Sequence, residues 1–217
     1  MPSEKVEEYL EGIFKLECEE GKANVTRLAE RMKVTAASAS EMLKRLEKEK
    51  LVTHKGDRGH VLTARGEHMA RTLVRRHRLS ERFLTDVLGI GWDVAHEEAC
   101  KFEHVLSPDV EKKLAEMLGN PSTCPHGFPI PDLDGKIAQT EIRRLSSFCA
   151  SERGVIAEVD EEGPELLQYL SSLGLIPDAR VEVKEIAPFN GPLLVKVGRS
   201  AQYALGREVA SKIWMKQ

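Results

Sequence analysis

Residues 25–63, VTRLAERMKVTAASASEMLKRLEKEKLVTHKGDRGHVLT, decide the fold of the N-terminal part of the chain. Apolar residues recur at helical spacing in 25–32 and again in 36–50, and only three residues separate these two segments. Thr35 stands directly before the second segment and is a favourable N-cap. Two short helices joined by about three residues are typical of a helix-turn-helix.

The second half of the same stretch predicts a wing. Residues 51–54 have the composition of a strand, 55–59 form a turn flanked by glycines, and 60–63 have the composition of a returning strand. Lys55 and Arg58 lie at the tip of this hairpin, where they are placed to contact phosphate. We therefore predict a winged helix-turn-helix, which is a DNA-binding element.

The helix after Thr35 is the predicted recognition helix. Its first turns carry small and hydroxyl side chains, which can contact bases weakly or through water, while basic side chains supply affinity through phosphates. One such helix per chain calls for a homodimer, formed through residues 75–118, on a pseudo-palindromic double-stranded operator. The candidate DNA-binding residues are Arg27, Thr35, Ala37, Ser38, Ser40, Glu41, Lys44, Arg45, Lys55 and Arg58.

The composition is that of an ordinary globular protein of 217 residues, with 41% hydrophobic and 31% charged residues. No apolar run approaches the roughly 20 residues that cross a bilayer, and the charged start of the chain is unlike a signal peptide. We therefore expect a cytoplasmic protein that does not enter a membrane. In that reducing compartment the widely spaced Cys18, Cys100, Cys124 and Cys149 are not expected to form a disulfide framework.

The net charge of −3 is unevenly divided along the chain. Residues 1–78 contain 17 Lys and Arg against 13 Asp and Glu, a balance of +4, and the remainder contains 15 against 22, a balance of −7. This asymmetry suits a nucleic-acid-binding head joined to an acidic body that binds cations.

The rest of the chain predicts helices followed by a small β domain. Helical patterns run from Thr63 to Gly89, from Asp93 to Leu106 and from Ser107 to Gly119, and an irregular connector covers 120–138. From about residue 145 short β segments surround one helix. We therefore predict a mainly α protein with a small β-barrel-like domain, divided into a DNA-binding domain (1–73), a helical dimerisation and metal-binding domain (74–140) and a C-terminal domain (145–217).

A cluster of metal-ligating residue types lies in the predicted helix after Asp93. His96, Cys100, Glu103 and His104 follow the spacing i, i+4, i+7, i+8 and share one helical face. Burying such a set without a cation would be costly, so we interpret it as a metal site. Other pairs at helical spacing are ordinary surface pairs when taken alone; they are His77 with Glu81 and Glu8 with Glu11.

Two other functions compete with a metal-dependent regulator. The segment His96-Glu97-x-x-Cys100 would be a zinc hydrolase motif only with His at position 100, and no P-loop, nucleophile elbow or dinucleotide fingerprint occurs. An enzyme is therefore the poorer alternative. The main rival is a winged-helix regulator that senses oxidation through Cys100 or Cys124.

The chain resembles the diphtheria toxin repressor family of iron- and manganese-dependent regulators over essentially its full length. The resemblance is carried by the wing and by three segments, RRHRLSER at 75–82, HEEACKFEHVLS at 96–107 and CPHGFPIP at 124–131. It implies a metal-dependent repressor of metal homeostasis genes that acts as a dimer. The C-terminal residues look like the SH3-like domain shared with the ferrous-transport accessory protein FeoA.

The resemblance also implies two metal sites in each chain. The primary site would take Glu8 and Glu11 from the first helix together with Cys100, Glu103 and His104, and His77 would lie nearby. For the second site the family offers two patterns, and this chain has the side chains for both. One uses His77, Glu81 and His96; the other uses Glu81, Cys124, His126 and Asp160.

Two features of the sequence favour different metals. Glu8 and Glu11 match the manganese-type members, whereas Cys100 matches the iron type, because manganese-type members place Glu there. A thiolate favours Fe²⁺ over the harder Mn²⁺. We therefore expect Fe²⁺ to be favoured, with Mn²⁺ as the alternative, and the bound metal to hold the two winged helices of a dimer near the roughly 34 Å spacing of successive major grooves.

Overall fold

The computed structural model describes residues 3–138, 140–160 and 163–217, without the side chains of Glu19, Glu20 and Arg58. The chain divides into two compact units. The first comprises Met1–Arg76 with Pro131–Lys136, and the second comprises His77–Ile130 with Ile137–Gln217. Among the described residues, no helix is both long enough and apolar enough to span a bilayer.

The first unit contains the predicted winged helix-turn-helix, and the fold prediction is confirmed here. Its elements are α1 (Glu4–Glu20), α2 (Val25–Arg31), α3 (Ala36–Lys48), β1 (Val52–His54) and β2 (His60–Leu62). The side chain of Thr35 accepts a hydrogen bond from the backbone N of Ser38 at 3.2 Å, as expected of an N-cap. The buried stripe of α3 consists of Ala39, Met42, Leu43 and Leu46.

The wing is held against the segment between α1 and α2. The backbone N of His60 donates to the carbonyl of Ala23 at 2.9 Å. Gly59 has a φ of +68°, and a Cβ at this position would lie 2.5 Å from the Ala23 oxygen. Only glycine therefore permits both the turn and the close approach of the two backbones.

The helices that follow depart from the predicted boundaries. Helix α4 (Ala64–Arg82) ends in a π-helical turn at Phe83–Val87 rather than continuing regularly to Gly89. Helix α5 (Trp92–Phe102) stops before Glu103, and Glu103–Val105 form a 3₁₀ turn ahead of α6 (Pro108–Met117). The prediction of one α-helix from Asp93 to Leu106 was therefore wrong. Leu106 and Ser107 are both extended, and Pro108 disfavours the α region for the residue before it, so the chain has left the helix before α6 begins.

The β domain is a six-stranded antiparallel sheet with the strand order β3-β8-β4-β5-β6-β7. Its elements are β3 (Arg143–Arg144), β4 (Arg153–Val159), α7 (Pro164–Ser172), β5 (Arg180–Ile186), β6 (Leu193–Val197), β7 (Ala201–Leu205), α8 (Arg207–Ala210) and β8 (Ile213–Lys216). The sequence prediction missed β3, β7 and β8. Strand β7 is mostly exposed and β3 has only two residues; β8 buries every second residue, but it begins with three consecutive apolar residues and so shows no apolar–polar alternation in the sequence.

Candidate metal centre and DNA-binding surface

The carboxylate of Glu81 is the meeting point of three imidazoles. Glu81 lies near the end of α4 and is fully buried. Its Oε1 lies 3.0 Å from Nε2 of His77, 3.2 Å from Nδ1 of His96 and 3.3 Å from Nδ1 of His126. Helix α4 supplies Glu81 and His77, helix α5 supplies His96, and the connector after α6 supplies His126.

Two groups of three potential metal ligands result from this arrangement. One consists of His77, His96 and Cys100, and the other consists of Glu81, Cys124 and His126. Within each group the ligating atoms all lie within 4.8 Å of one another. The second group is buried throughout, whereas Cys100 of the first group is exposed.

The protonation of His126 is set by a backbone carbonyl. Its Nε2 lies 2.9 Å from the carbonyl oxygen of Trp92, which can only accept, so Nε2 carries the proton. The Trp92 ring also stacks on the imidazole, with centroids 5.5 Å apart. Nδ1 therefore presents its lone pair to Glu81 and to the Cys124 sulfur, which lies 4.0 Å away. A lone pair facing a carboxylate requires a cation between them, either a proton or a metal ion.

The donors around Glu81 fit a divalent metal ion. The second oxygen of this carboxylate, Oε2, is buried and has no hydrogen-bond partner among the described residues. Nε2 of His77 and Nδ1 of His96 are 3.0 Å apart. Two ligand atoms bound at about 2.1 Å and at right angles to one ion would have about this separation. Burying this set of polar groups without a cation would be costly.

His77 lies between two buried carboxylates. Its Nδ1 is 2.5 Å from Oε2 of Glu103, and its Nε2 faces Glu81. Burial alone would lower the pKa of His77, but the charge of Glu81 and the hydrogen bonds with Cys100 and Glu103 raise it well above its ordinary value. Burial would raise the pKa of Glu81, yet the charge of His77 and the hydrogen bond with the same residue hold it well below its usual range. Protons and a metal ion would thus compete for these positions.

Cys100 and His104 complete the donors of the α5 region. The sulfur of Cys100 lies 4.0 Å from both Nδ1 of His77 and Nε2 of His96. Burial raises the pKa of this thiol, but the hydrogen bonds from the two histidines outweigh it, and the net pKa is lowered. A lowered thiol pKa favours the thiolate, which is the form that binds metals. His104 contacts Glu103, with 3.4 Å between Nε2 and Oε1.

Arginines on α4 hold the connector that carries Cys124 and His126. Arg82 donates from Nε to the carbonyl of Thr123 at 2.7 Å and from Nη2 to that of Cys124 at 3.4 Å. Arg78 donates to the carbonyl of Pro129, and its guanidinium lies 5.3 Å from the centroid of the Phe128 ring. In the first unit Arg75 makes the same kind of bond, 2.6 Å to the carbonyl of Pro131.

Gly127 allows this connector to reach the β domain. Its φ is +94°, and a Cβ there would lie 1.9 Å from the carbonyl oxygen of Ala157 on β4. The backbone N of Val159 donates to the carbonyl of His126 at 3.0 Å. The sequence analysis missed Trp92, the arginines and Gly127 as positioning residues. Of these, the regular spacing of arginines in 71–82 is the signal that could have pointed to them.

The remaining predicted ligands lie apart from these two groups or in the first unit. Asp160 belongs to neither group, and its carboxylate is 3.1 Å from the ammonium of Lys212. Glu8 and Glu11 lie on α1 in the first unit. Glu8 is exposed, and Glu11 is paired with Lys15 at 3.2 Å.

The candidate DNA-binding residues lie mostly on exposed positions of the first unit. Ser40 is half-buried, Arg45 is paired with Glu49 at 2.9 Å and Arg27 with Glu30 at 2.7 Å. The side chain of Arg58 lies outside the described residues. The exposed candidates are Arg27, Thr35, Ala37, Ser38, Glu41, Lys44, Arg45 and Lys55.

Comparison with known proteins assigns all three parts of the chain. Residues 1–60 match the profile "Iron dependent repressor, N-terminal DNA binding domain", residues 63–132 match "Iron dependent repressor, metal binding and dimerisation domain", and residues 143–217 match "FeoA domain". The iron-dependent repressor IdeR of Mycobacterium leprae is 36% identical over 205 residues, which are 88% of each chain. The diphtheria toxin repressor of Corynebacterium diphtheriae is 41% identical over 129 residues, 59% of this chain and 57% of that protein.

Solved structures give the same relationship over nearly the whole chain. A manganese-dependent transcriptional repressor in complex with manganese has a TM-score of 0.91 at 33% identity, and the match covers 98% of this chain and 99% of that one. The IdeR of T. acidophilum has a TM-score of 0.79 at 25% identity, covering 97% and 96%. The chain therefore belongs to the iron-dependent repressor family, whose members are metal-dependent, DNA-binding transcriptional repressors and not enzymes.

Proposed function

We propose that this repressor controls metal homeostasis genes and responds to Fe²⁺ in preference to Mn²⁺. The observation that carries the metal dependence is the convergence of His77, His96 and His126 on Glu81. The preference for Fe²⁺ rests on the two thiols. Cys100 and Cys124 each lie in one of the ligand groups, and thiolates bind softer cations than Mn²⁺ better.

The second metal site is proposed to consist of Glu81, Cys124 and His126. Cys124 and His126 are both buried, whereas His96 is partly exposed, and the lone pair of His126 Nδ1 faces Glu81; these features support this set over the alternative of His77, Glu81 and His96. Asp160 follows directly after Val159, whose backbone bonds to His126, and it remains a proposed fourth ligand. A bound divalent cation would supply the positive charge that these donors face.

The primary site is proposed to consist of Glu8, Glu11, Cys100, Glu103 and His104, with His77 beside it. The support for Glu8 and Glu11 is the sequence resemblance alone. The support for the others is their chemistry, because Glu103 is buried against His77 and the pKa of Cys100 is lowered. His77 contacts both Glu81 and Glu103, so it would transmit the occupancy of one ligand set to the other.

Homodimerisation is proposed to occur through residues 75–118. Large apolar side chains remain exposed in this region, as expected of a surface that pairs with a second copy. They are Val87, Leu88, Val94, Phe102, Val105, Val110 and Met117. Each partner would then present one recognition helix to a pseudo-palindromic operator. We propose the domains 1–73, 74–140 and 145–217, and their support is that each overlaps one matched profile, at 1–60, 63–132 and 143–217.

The proposal is tested by a metal titration of DNA binding. A double-stranded fragment selected from a random library in the presence of metal serves as the probe, and its fluorescence anisotropy is followed with Fe²⁺, Mn²⁺, Co²⁺ and Zn²⁺ under anaerobic, reducing conditions. We expect binding to require metal and Fe²⁺ to act at a lower concentration than Mn²⁺. If chelators leave DNA binding unchanged and peroxide abolishes it, the protein is instead the redox-sensing regulator.

A further inference from the structure

Glu41 lies near the centre of the solvent face of α3, the predicted recognition helix. The opposite face is the buried stripe of Ala39, Met42, Leu43 and Leu46. At about 3.6 residues per turn, four side chains point within about 30° of the direction opposite to that stripe. They are Ala37, Glu41, Lys44 and Lys48, and all four are exposed. These are therefore the side chains that α3 presents to the major groove.

Glu41 is also the first long side chain of α3. The residues before it in this helix, 36–40, are all alanine or serine. The N-terminal residues of a recognition helix are the ones that contact base edges. The carboxylate of a glutamate is separated from the backbone by two methylene groups and extends beyond these short side chains. Among residues 36–41, Glu41 therefore has the greatest reach toward the bases.

The carboxylate of Glu41 is not neutralised by its neighbours on the helix. Basic residues stand three and four positions later, at Lys44 and Arg45, where a helical ion pair with Glu41 is possible. Arg45 instead binds Glu49, with 2.9 Å between Nε and Oε1. Within the described part of the chain, Glu41 has no hydrogen bond or ion pair through its side chain. A free carboxylate close to the phosphates is repelled, so Glu41 weakens DNA binding unless it meets a hydrogen-bond donor on the bases.

Cytosine is the base whose major-groove edge best fits a carboxylate. A carboxylate only accepts, and the donors of that groove are the N4 amino group of cytosine and the N6 amino group of adenine. In an A·T pair the donor lies between two acceptors, N7 of adenine and O4 of thymine, whereas in a C·G pair it has an acceptor on one side only. We propose that Glu41 specifies a cytosine in each half of the operator by accepting a hydrogen bond from N4. This inference rests on the proposed recognition of the operator by α3, and it does not depend on which metal activates the protein.

The test compares the DNA sequences that full-length proteins select from a random double-stranded library with saturating Fe²⁺ or Mn²⁺. Wild type is expected to select cytosine at one position for each bound chain. Glu41→Gln is expected to select adenine there, because a carboxamide donates to N7 while it accepts from N6. Glu41→Ala should show no preference at that position. The matched control is Glu165→Gln, which removes the same charge from an exposed residue of α7 and should select the wild-type sequence.

Affinities for the selected DNA separate the possible outcomes. Replacing the selected C·G pair by T·A should weaken binding of wild type by about 5-fold or more, the usual cost of one mismatched base pair, and should leave the affinity of Glu41→Ala unchanged. An equal loss in both proteins, or metal-dependent selection of a sequence without a specified cytosine, would overturn this inference and leave the proposed function intact. If wild type selects no sequence with either metal, the proposed function and this inference both fail. Circular dichroism checks that the variants are folded.

Discussion

Glu81 and His126 meet in the buried part of the second unit, with Oε1 of the carboxylate 3.3 Å from Nδ1 of the imidazole. Glu81 comes from α4, whereas His126 comes from the connector after α6. Nε2 of His126 donates its proton to the carbonyl of Trp92. The nitrogen that contacts Glu81 is therefore Nδ1, which carries a lone pair. Both residues belong to the second ligand group.

Replacement of His126 tests that group directly. In His126→Ala we expect one fewer Co²⁺ bound per chain and weaker metal-dependent DNA binding, because the group of Glu81, Cys124 and His126 loses its imidazole ligand. Co²⁺ absorption in the thiolate charge-transfer region, followed during titration, measures the loss. A variant that retains the wild-type Co²⁺ count and spectrum would exclude His126 as a ligand.

Trp92 is expected to position His126 without binding metal itself. Trp92→Ala keeps the backbone carbonyl but removes the ring that stacks on His126, so the affinity of the second site for Co²⁺ should fall by about 10- to 100-fold, the usual effect of losing a residue that orients a ligand. Trp92→Phe should restore most of it. The matched control is Trp214→Ala, which removes the other tryptophan, on β8. An equal loss in the two alanine variants would show a general effect of instability.

Arg82 and Arg75 provide a matched pair on α4. Each donates a hydrogen bond to a carbonyl of the segment 120–136. Arg82→Gln and Arg75→Gln should therefore each lower the free energy of unfolding. Loss of a charged donor costs about 1–3 kcal/mol when the group is fully buried, and less here because both side chains are partly exposed. Arg82 also donates to the carbonyl of Cys124, so its replacement should weaken Co²⁺ binding at the second site, whereas replacement of Arg75 should not. Chemical denaturation and Co²⁺ titration on both variants separate the two effects; equal metal affinity would contradict the role of Arg82.

Cys100 is expected to set the choice of metal. Cys100→Glu exchanges a soft thiolate for a hard carboxylate, so activation of DNA binding should shift from Fe²⁺ toward Mn²⁺. The measurement is the ratio of the Fe²⁺ and Mn²⁺ concentrations that give half-maximal DNA binding, compared with wild type. Cys149→Glu, at an exposed cysteine of the β domain, is the control. An unchanged ratio in Cys100→Glu would remove this residue from metal selection.

Exposed apolar residues on α6 test the dimer. Val110 and Met117 are seven residues apart on one helical face and are 51% and 58% exposed. A charge at an apolar interface is costly to bury, so the double variant Val110→Asp/Met117→Asp should sediment as a monomer. Leu133→Asp places the same charge on an exposed apolar residue of the first unit and should leave the dimer intact. A dimeric double variant would place the interface elsewhere.

The sequence by itself determined those helices and turns that depend on residues close together in the chain. The spacing of Leu43 and Leu46 predicts the buried face of α3, and Thr35 predicts its start, because both effects act within a few residues of chain. Helical spacing also pointed to His96, Cys100, Glu103 and His104 as metal ligands, and the resemblance added Cys124, His126 and Asp160. A contact such as that between Glu17 and the backbone N of Leu62, 3.3 Å apart across 45 residues, leaves no comparable local signal.

Only the tertiary structure decided which ligands meet. Sequence spacing placed Glu103 on the same helical face as Cys100, and in the structure both contact Nδ1 of His77, a residue of α4 that the spacing within one helix could not bring to them. Glu81 reaches His126 because arginine side chains hold the connector by its carbonyls and because Gly127 has no Cβ to block its approach to β4. Helical periodicity specifies the direction of a side chain on its own element, but the meeting of donors from three elements depends on long-range packing and hydrogen bonds, which no local pattern encodes.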